Sequence, residues 1–181
     1  ALNVVRTVEA YIAAGVAGMH LEDQQMPKRR GHLAGKTVVS PDEMASKLRA
    51  AIDTRDDAGI DMVIIARTDA RTGLGFEEAV RRGAAYAEAG ADLVFVESLQ
   101  SEEEMRRACS LIRAPMMANM SDGGKTPIRP AKELASFGYR LAIWPAMAAL
   151  SASAAIERAM HNLKATGTSV SPEVPLFGFD D

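Results

Sequence analysis

A single cysteine among 181 residues excludes an internal disulfide framework, and a reducing cytoplasm is the simplest setting for it. The three histidines share no metal-ligand spacing with that cysteine or with one another, so a zinc centre is not expected. Aromatic residues make up 5% of the chain, too few for the stacking platforms that hold single-stranded nucleic acid. A formal net charge of -3 leaves no basic field for nucleic acid or an anionic membrane, so neither is expected as a partner. No apolar run approaches the length of about 18 residues that a membrane span needs. The N-terminus has no signal-peptide pattern. No linker or low-complexity stretch divides the chain, and its motifs do not recur from unit to unit, which argues against a solenoid.

What remains is ordinary globular material, 48% apolar and 25% charged. Short apolar runs alternate with longer amphipathic segments. Strands are predicted at Val16 to Leu21, Met62 to Ala66, Leu93 to Val96, Pro115 to Met120 and Tyr139 to Trp144. Between them lie helical patterns: Val4 to Ala13, a helix opened by Ser40-Pro41-Asp42-Glu43, Phe76 to Ala89, a helix opened by Ser101 to Glu104, and Ala146 to Thr166. Both serine-led openings read as capping boxes, and Gly167 reads as a C-cap. Strand and helix repeated five times predict a parallel sheet with covering helices. The expectation is one α/β domain over residues 1–166, the five C-terminal βα units of a (β/α)₈ TIM-type barrel, with an irregular tail at 167–181.

The strand ends carry the chemistry. The first strand runs into Glu22-Asp23, the second into Arg67-Thr68-Asp69, the third into Glu97-Ser98, and the fourth into Asn119 and Ser121. In a barrel such ends converge on one mouth, where active sites are built. Glu22 suits a cation or its water shell, Arg67 a carboxylate fork, and Asn119 and Ser121 serve as neutral donors. Other motifs fail. Gly124-Lys125-Thr126 resembles the end of a phosphate loop but has Asn119 where the earlier glycine belongs. Cys109 shares a helical face with Met105 and Ile112, as a small buried hydrophobe does. Lys28-Arg29-Arg30-Gly31-His32 lies in the longest loop, directly after a strand end. It reads equally as a solvated loop or as a lid whose cations meet substrate carboxylates.

These blocks, Leu21-Glu22-Asp23-Gln24, Pro27 to Leu33, Ala66-Arg67-Thr68-Asp69-Ala70, Ala89-Gly90-Ala91-Asp92 leading to Glu97, and Ala118-Asn119, resemble the isocitrate lyase/phosphoenolpyruvate mutase family in order and spacing. The similarity runs to about Ile156 and is greatest to the methylisocitrate lyase, dimethylmalate lyase and carboxyphosphonoenolpyruvate phosphonomutase branch. The resemblance implies a Mg²⁺-dependent lyase that splits a C–C bond in a small 2-hydroxy di- or tricarboxylate, giving a 2-oxo acid and a dicarboxylate. It implies Glu22 at the metal, held largely through water. Lys28, Arg30, Gly31, Arg67, Glu97, Asn119 and Ser121 fall at the substrate, and Arg30, His32, Arg67 and Glu97 in catalysis. It also implies a homotetramer. The aspartates that bind Mg²⁺ directly, and the earlier barrel units, are expected upstream of residue 1. One position departs from the lyases: their loop carries a proton-donating cysteine where this chain has Arg30, and a guanidinium does not give up a proton near neutral pH. That leaves phosphonomutase, hydrolase or decarboxylase chemistry, or an inactive fragment, as alternatives.

Overall fold

The structure, a computed structural model, describes residues 2–29, 35–176 and 178. It divides into two compact units, Ala1–Ile143 and Trp144–Asp181.

The first unit opens with α1 (Leu2–Ala13) and β1 (Gly18–Glu22), then α2 (Pro41–Asp57), β2 (Val63–Thr68), α3 (Arg71–Leu74) and α4 (Phe76–Glu88). β3 (Leu93–Val96), α5 (Glu102–Leu111), β4 (Met116–Asn119), α6 (Ala131–Phe137) and β5 (Tyr139–Ile143) complete it. All four strand pairings are parallel and the sheet order is β1-β2-β3-β4-β5. Parallel neighbours need a crossover, and crossovers share one hand. An unreversed order therefore sends successive helices to the same side, as in a barrel; a doubly wound sheet would reverse its order midway.

Residue alternation separates the two faces of this sheet. Met19, Ile64 and Ala66 point into a core built with Val8 of α1, Met44, Leu48 and Ala51 of α2 and Tyr86 of α4. Ile65, Phe95 and Met117 occupy the opposite face, beside Val63, Leu93 and Ile143. The helix starts are set locally. Ser40 accepts from Glu43 N at 3.1 Å and Ser101 from Glu104 N at 3.1 Å. The reciprocal halves of the expected boxes do not form. Glu43 pairs with Lys47 one turn on, and Glu104 accepts from Gln100 N and Arg71. Charged partners compete better for those carboxylates than a single neutral N–H.

β3 falls on the predicted residues, whereas β2 continues two residues past its predicted end. Glu22 stands in register with Arg67, and Thr68 with Val96, so backbone pairing carries the strand through the arginine. The short helices α3 and α6 are additions to the expected elements. The second unit holds α7 (Met147–Thr166), closed by Gly167 in the left-handed conformation at φ 72°. No helix among the described residues is long and apolar enough to cross a membrane.

Candidate active site

The C-terminal ends of β1 to β4 bring a cluster of charge together on the sheet face opposite the helices. At its centre is Arg67, whose guanidinium carbon lies 4.9 Å from the centroid of the Phe95 ring. Arg67 Nε donates to Asp69 Oδ2 at 2.8 Å, and Nη2 to Asp69 Oδ1 at 3.1 Å. Glu22 Oε2 stands 3.3 Å from Nε, and Glu97 Oε2 3.3 Å from Nη2. Nη1 takes part in none of these contacts. Burial works against the Arg67 charge, but Asp69, then Glu97 and Glu22, outweigh it and raise the guanidinium pKa further. The expected fork is present, but the protein's own Asp69 fills it. A substrate carboxylate therefore has Nη1 to meet, not the Nε/Nη2 edge.

Asp69 is buried and also accepts from Lys36 Nζ at 2.8 Å. Burial alone would raise its pKa; the hydrogen bonds and charges of Arg67 and Lys36 reverse that and hold it below the ordinary carboxylate value. Behind it lies Asp23, fully buried. Asp23 accepts from Thr68 Oγ1 (2.8 Å), Asp69 N (2.9 Å), Tyr86 Oη (2.9 Å) and Arg82 Nη1 (3.2 Å). Two carboxylates in sequence thus tie Arg67 to α4.

Glu97 is buried and receives Ser98 Oγ at 3.0 Å and Asn119 Nδ2 at 3.4 Å. Ser98 has φ 63°, a costly conformation for a residue with a Cβ, and it turns the chain immediately after Glu97. Asn119 Oδ1 is buried without a hydrogen-bond partner. An orphaned acceptor of that kind is costly unless a ligand or water fills it.

Of the residues expected at the site, Glu22, Arg67, Glu97 and Asn119 meet in this cluster. Lys28 reaches it from the loop, with Nζ 3.0 Å from Glu22 Oε1. Ser121 does not join it: it begins a turn in which its carbonyl accepts from Gly124 N at 3.0 Å. The strand ends at Asn119, and the chain has turned away two residues later. Arg30, Gly31 and His32 lie outside the described residues. Asp69, Lys36 and Asp23 are the members that sequence reasoning did not select. The available signal was Arg82 and Tyr86, polar groups one turn apart on the core-facing side of α4, which require a buried partner.

Magnesium needs several oxygen ligands around one point. Glu22, Asp69 and Glu97 have the right chemistry, but each is already paired with a cation. Among the described residues no three His, Cys, Asp or Glu side chains gather as a metal-ligand group. These residues do not by themselves fit a Mg²⁺ site.

Successive parallel βα units with a partly buried, carboxylate-braced arginine at their C-terminal ends place the chain among TIM-barrel-type α/β proteins. The chain belongs to the phosphoenolpyruvate phosphomutase family, whose sequence profile matches residues 1–164. It is 51% identical over 145 residues to 2,3-dimethylmalate lyase of Eubacterium barkeri, covering 80% of this chain and 50% of that one. To 2-methylisocitrate lyase of Aeropyrum pernix it is 43% identical over 168 residues, covering 93% and 53%. Among solved structures, oxaloacetate acetylhydrolase bound to 3,3-difluorooxalacetate superposes with a TM-score of 0.88 at 40% identity, covering 94% of this chain and 58% of that one. A crystal structure of 2,3-dimethylmalate lyase gives 0.85 at 40% identity, with coverage of 94% and 58%. The chain spans about half the length of the curated relatives it matches.

Proposed function

We propose that this chain supplies the C-terminal βα units of a (β/α)₈ lyase. The reaction is cleavage of a C–C bond in a small 2-hydroxy di- or tricarboxylate of the methylisocitrate or dimethylmalate kind. The observation that carries this reading is the partly buried Arg67 guanidinium, fixed through Nε and Nη2 while Nη1 meets no carboxylate among the described residues. Such a group holds a carboxylate without having to reorganise when it binds, the condition for strong electrostatic stabilisation. In the cleavage the substrate hydroxyl loses its proton and its carbon becomes a carbonyl. The electrons of the breaking C–C bond pass to the carbon beside the second carboxylate, which gains, in net terms, the proton that the hydroxyl lost. Arg67 anchors the carboxylate, Asn119 Oδ1 accepts the hydroxyl hydrogen, and Glu97 is assigned the proton.

Magnesium belongs to this proposal for the whole protein. A phosphonopyruvate hydrolase that superposes with a TM-score of 0.80 at 27% identity is a complex with oxalate and Mg²⁺, and its coverage is 99% of this chain and 62% of that one. Glu22 is the carboxylate of this chain that we assign to the metal's water shell. A cytoplasmic homotetramer is part of the same reading. Exposed Met147, Leu150, Ile156, Met160 and Leu163 on α7 support association.

A second reading, a hydrolase acting on a 2-oxo dicarboxylate, is favoured by the likeness to oxaloacetate acetylhydrolase. Titration calorimetry of Mg²⁺ and oxalate into the full-length protein tests what the two readings share. Saturable oxalate binding, lost in Arg67→Met, is the expected result. Binding unaffected by that substitution would overturn both.

A further inference from the structure

We propose that Lys36 is a positioning residue for Arg67, acting through Asp69, and that it sets how tightly the mouth takes a carboxylate. The second half of the proposal rests on the carboxylate-binding reading above. The Lys36 and Asp69 side chains are 2% and 0% exposed, so neither charge is relaxed by water. Asp69 Oδ1 is shared between Lys36 Nζ at 2.8 Å and Arg67 Nη2 at 3.1 Å, while Oδ2 takes Arg67 Nε at 2.8 Å.

Both backbones are clamped. Beside Lys36, Gln25 N donates to Thr37 O at 2.9 Å, Gln24 bridges Val38, and Val39 N donates to Asp23 O at 2.8 Å. Asp69 N is held by Asp23 Oδ1 at 2.9 Å. The lysine therefore fixes the carboxylate from a stationary point, and the carboxylate fixes the arginine.

Without Lys36, Asp69 loses the contact that holds its plane, so Glu22 and Glu97, each 3.3 Å from the guanidinium, draw Arg67 away from its two-point contact. A partner removed from a buried ion pair leaves the other charge uncompensated.

The test titrates oxalate into the full-length wild type, Lys36→Met, Asp69→Asn and the double variant, with thermal unfolding to confirm that each folds. Lys36→Met should weaken oxalate by at least about tenfold, and the same substitution should cost less than about twofold in the Asp69→Asn background, because the path runs through Asp69. An equal loss in both backgrounds, or none in either, overturns the proposal. A second arm needs neither ligand nor variant: ¹⁵N NMR of the wild type at neutral pH. Slowly exchanging Lys36 ammonium and Arg67 Nε–H protons are expected; free exchange at either group overturns the positioning role. Absence of wild-type oxalate binding would refute the carboxylate-binding reading instead, and the NMR arm would still decide whether Lys36 positions Arg67.

Discussion

Arg67 and Asp69, two residues apart at the end of β2, meet in a two-point contact, Nε to Oδ2 at 2.8 Å and Nη2 to Oδ1 at 3.1 Å. Residues at positions i and i+2 of a strand point to the same face, so the pairing follows from the pleat. It leaves the guanidinium with one unengaged amino group facing whatever binds.

Lysine at position 67 keeps the charge but has no planar fork, and cannot satisfy Asp69, Glu22 and Glu97 while also offering a donor outward. Arg67→Lys is expected to lower kcat/KM of the full-length enzyme by about 100-fold or more, equivalent to about 2.7 kcal/mol of transition-state stabilisation. Steady-state kinetics on a 2-hydroxy di- or tricarboxylate check this. A variant within a few-fold of wild type would remove Arg67 from the centre of the account.

Acid should weaken the fold through Asp69. Its folded pKa is depressed by Arg67 and Lys36 acting against burial. The group therefore stabilises fully above its unfolded value near about 3.9, and that contribution is lost as pH falls through the lower folded value. Urea unfolding of wild type and Asp69→Asn across this range should show a gap that is constant above about pH 5 and narrows as the solution becomes more acid. A gap independent of pH down to about 2 would contradict the assignment.

Tyr86→Phe removes the hydroxyl that donates to the buried Asp23 at 2.9 Å, leaving Arg82, Thr68 and the Asp69 amide in place. A hydrogen bond to a charged group contributes about 1.5–3 kcal/mol, and a loss of that size is expected in chemical denaturation. Burial and the adjacent Asp23 raise the Tyr86 pKa to a degree consistent with a hydroxyl that stays protonated as donor. A neutral effect would mean that the Asp23 network does not brace β2.

Much of this was legible in the sequence, for identifiable reasons. Leu93 to Val96 is a four-residue apolar run between Asp92 and Glu97, and its limits are strand limits in the structure. Gly167 closes α7 in the left-handed conformation that glycine adopts most readily. α6 escaped notice because its seven residues follow Pro130 with no side-chain cap. Strand-end position pointed to Glu22, Arg67, Glu97 and Asn119. It could not show that Asp69 occupies the Arg67 fork, because Lys36 reaches that carboxylate from 33 residues away in sequence. Ser121 lies past the end of β4, at the start of a turn.

Position 30 separates the lyase from the alternatives. Cys109 offers no substitute for the absent loop thiol: it lies on α5, where it packs against Gly138, just before β5, rather than at the strand ends that carry the cluster. Arg30→Cys in the full-length enzyme should raise lyase turnover, measured as 2-oxo acid released per unit time. No gain would count against lyase chemistry.

The most direct test of the central claim is ¹H NMR of the products. The full-length enzyme is incubated with Mg²⁺ and, separately, 2-methylisocitrate, 2,3-dimethylmalate and oxaloacetate. Time-dependent appearance of a 2-oxo acid and a second carboxylate from one of the two hydroxy acids, abolished by Arg67→Met, is the expected result. Oxaloacetate consumed to oxalate and acetate while both hydroxy acids stay intact would contradict the lyase and establish the hydrolase in its place.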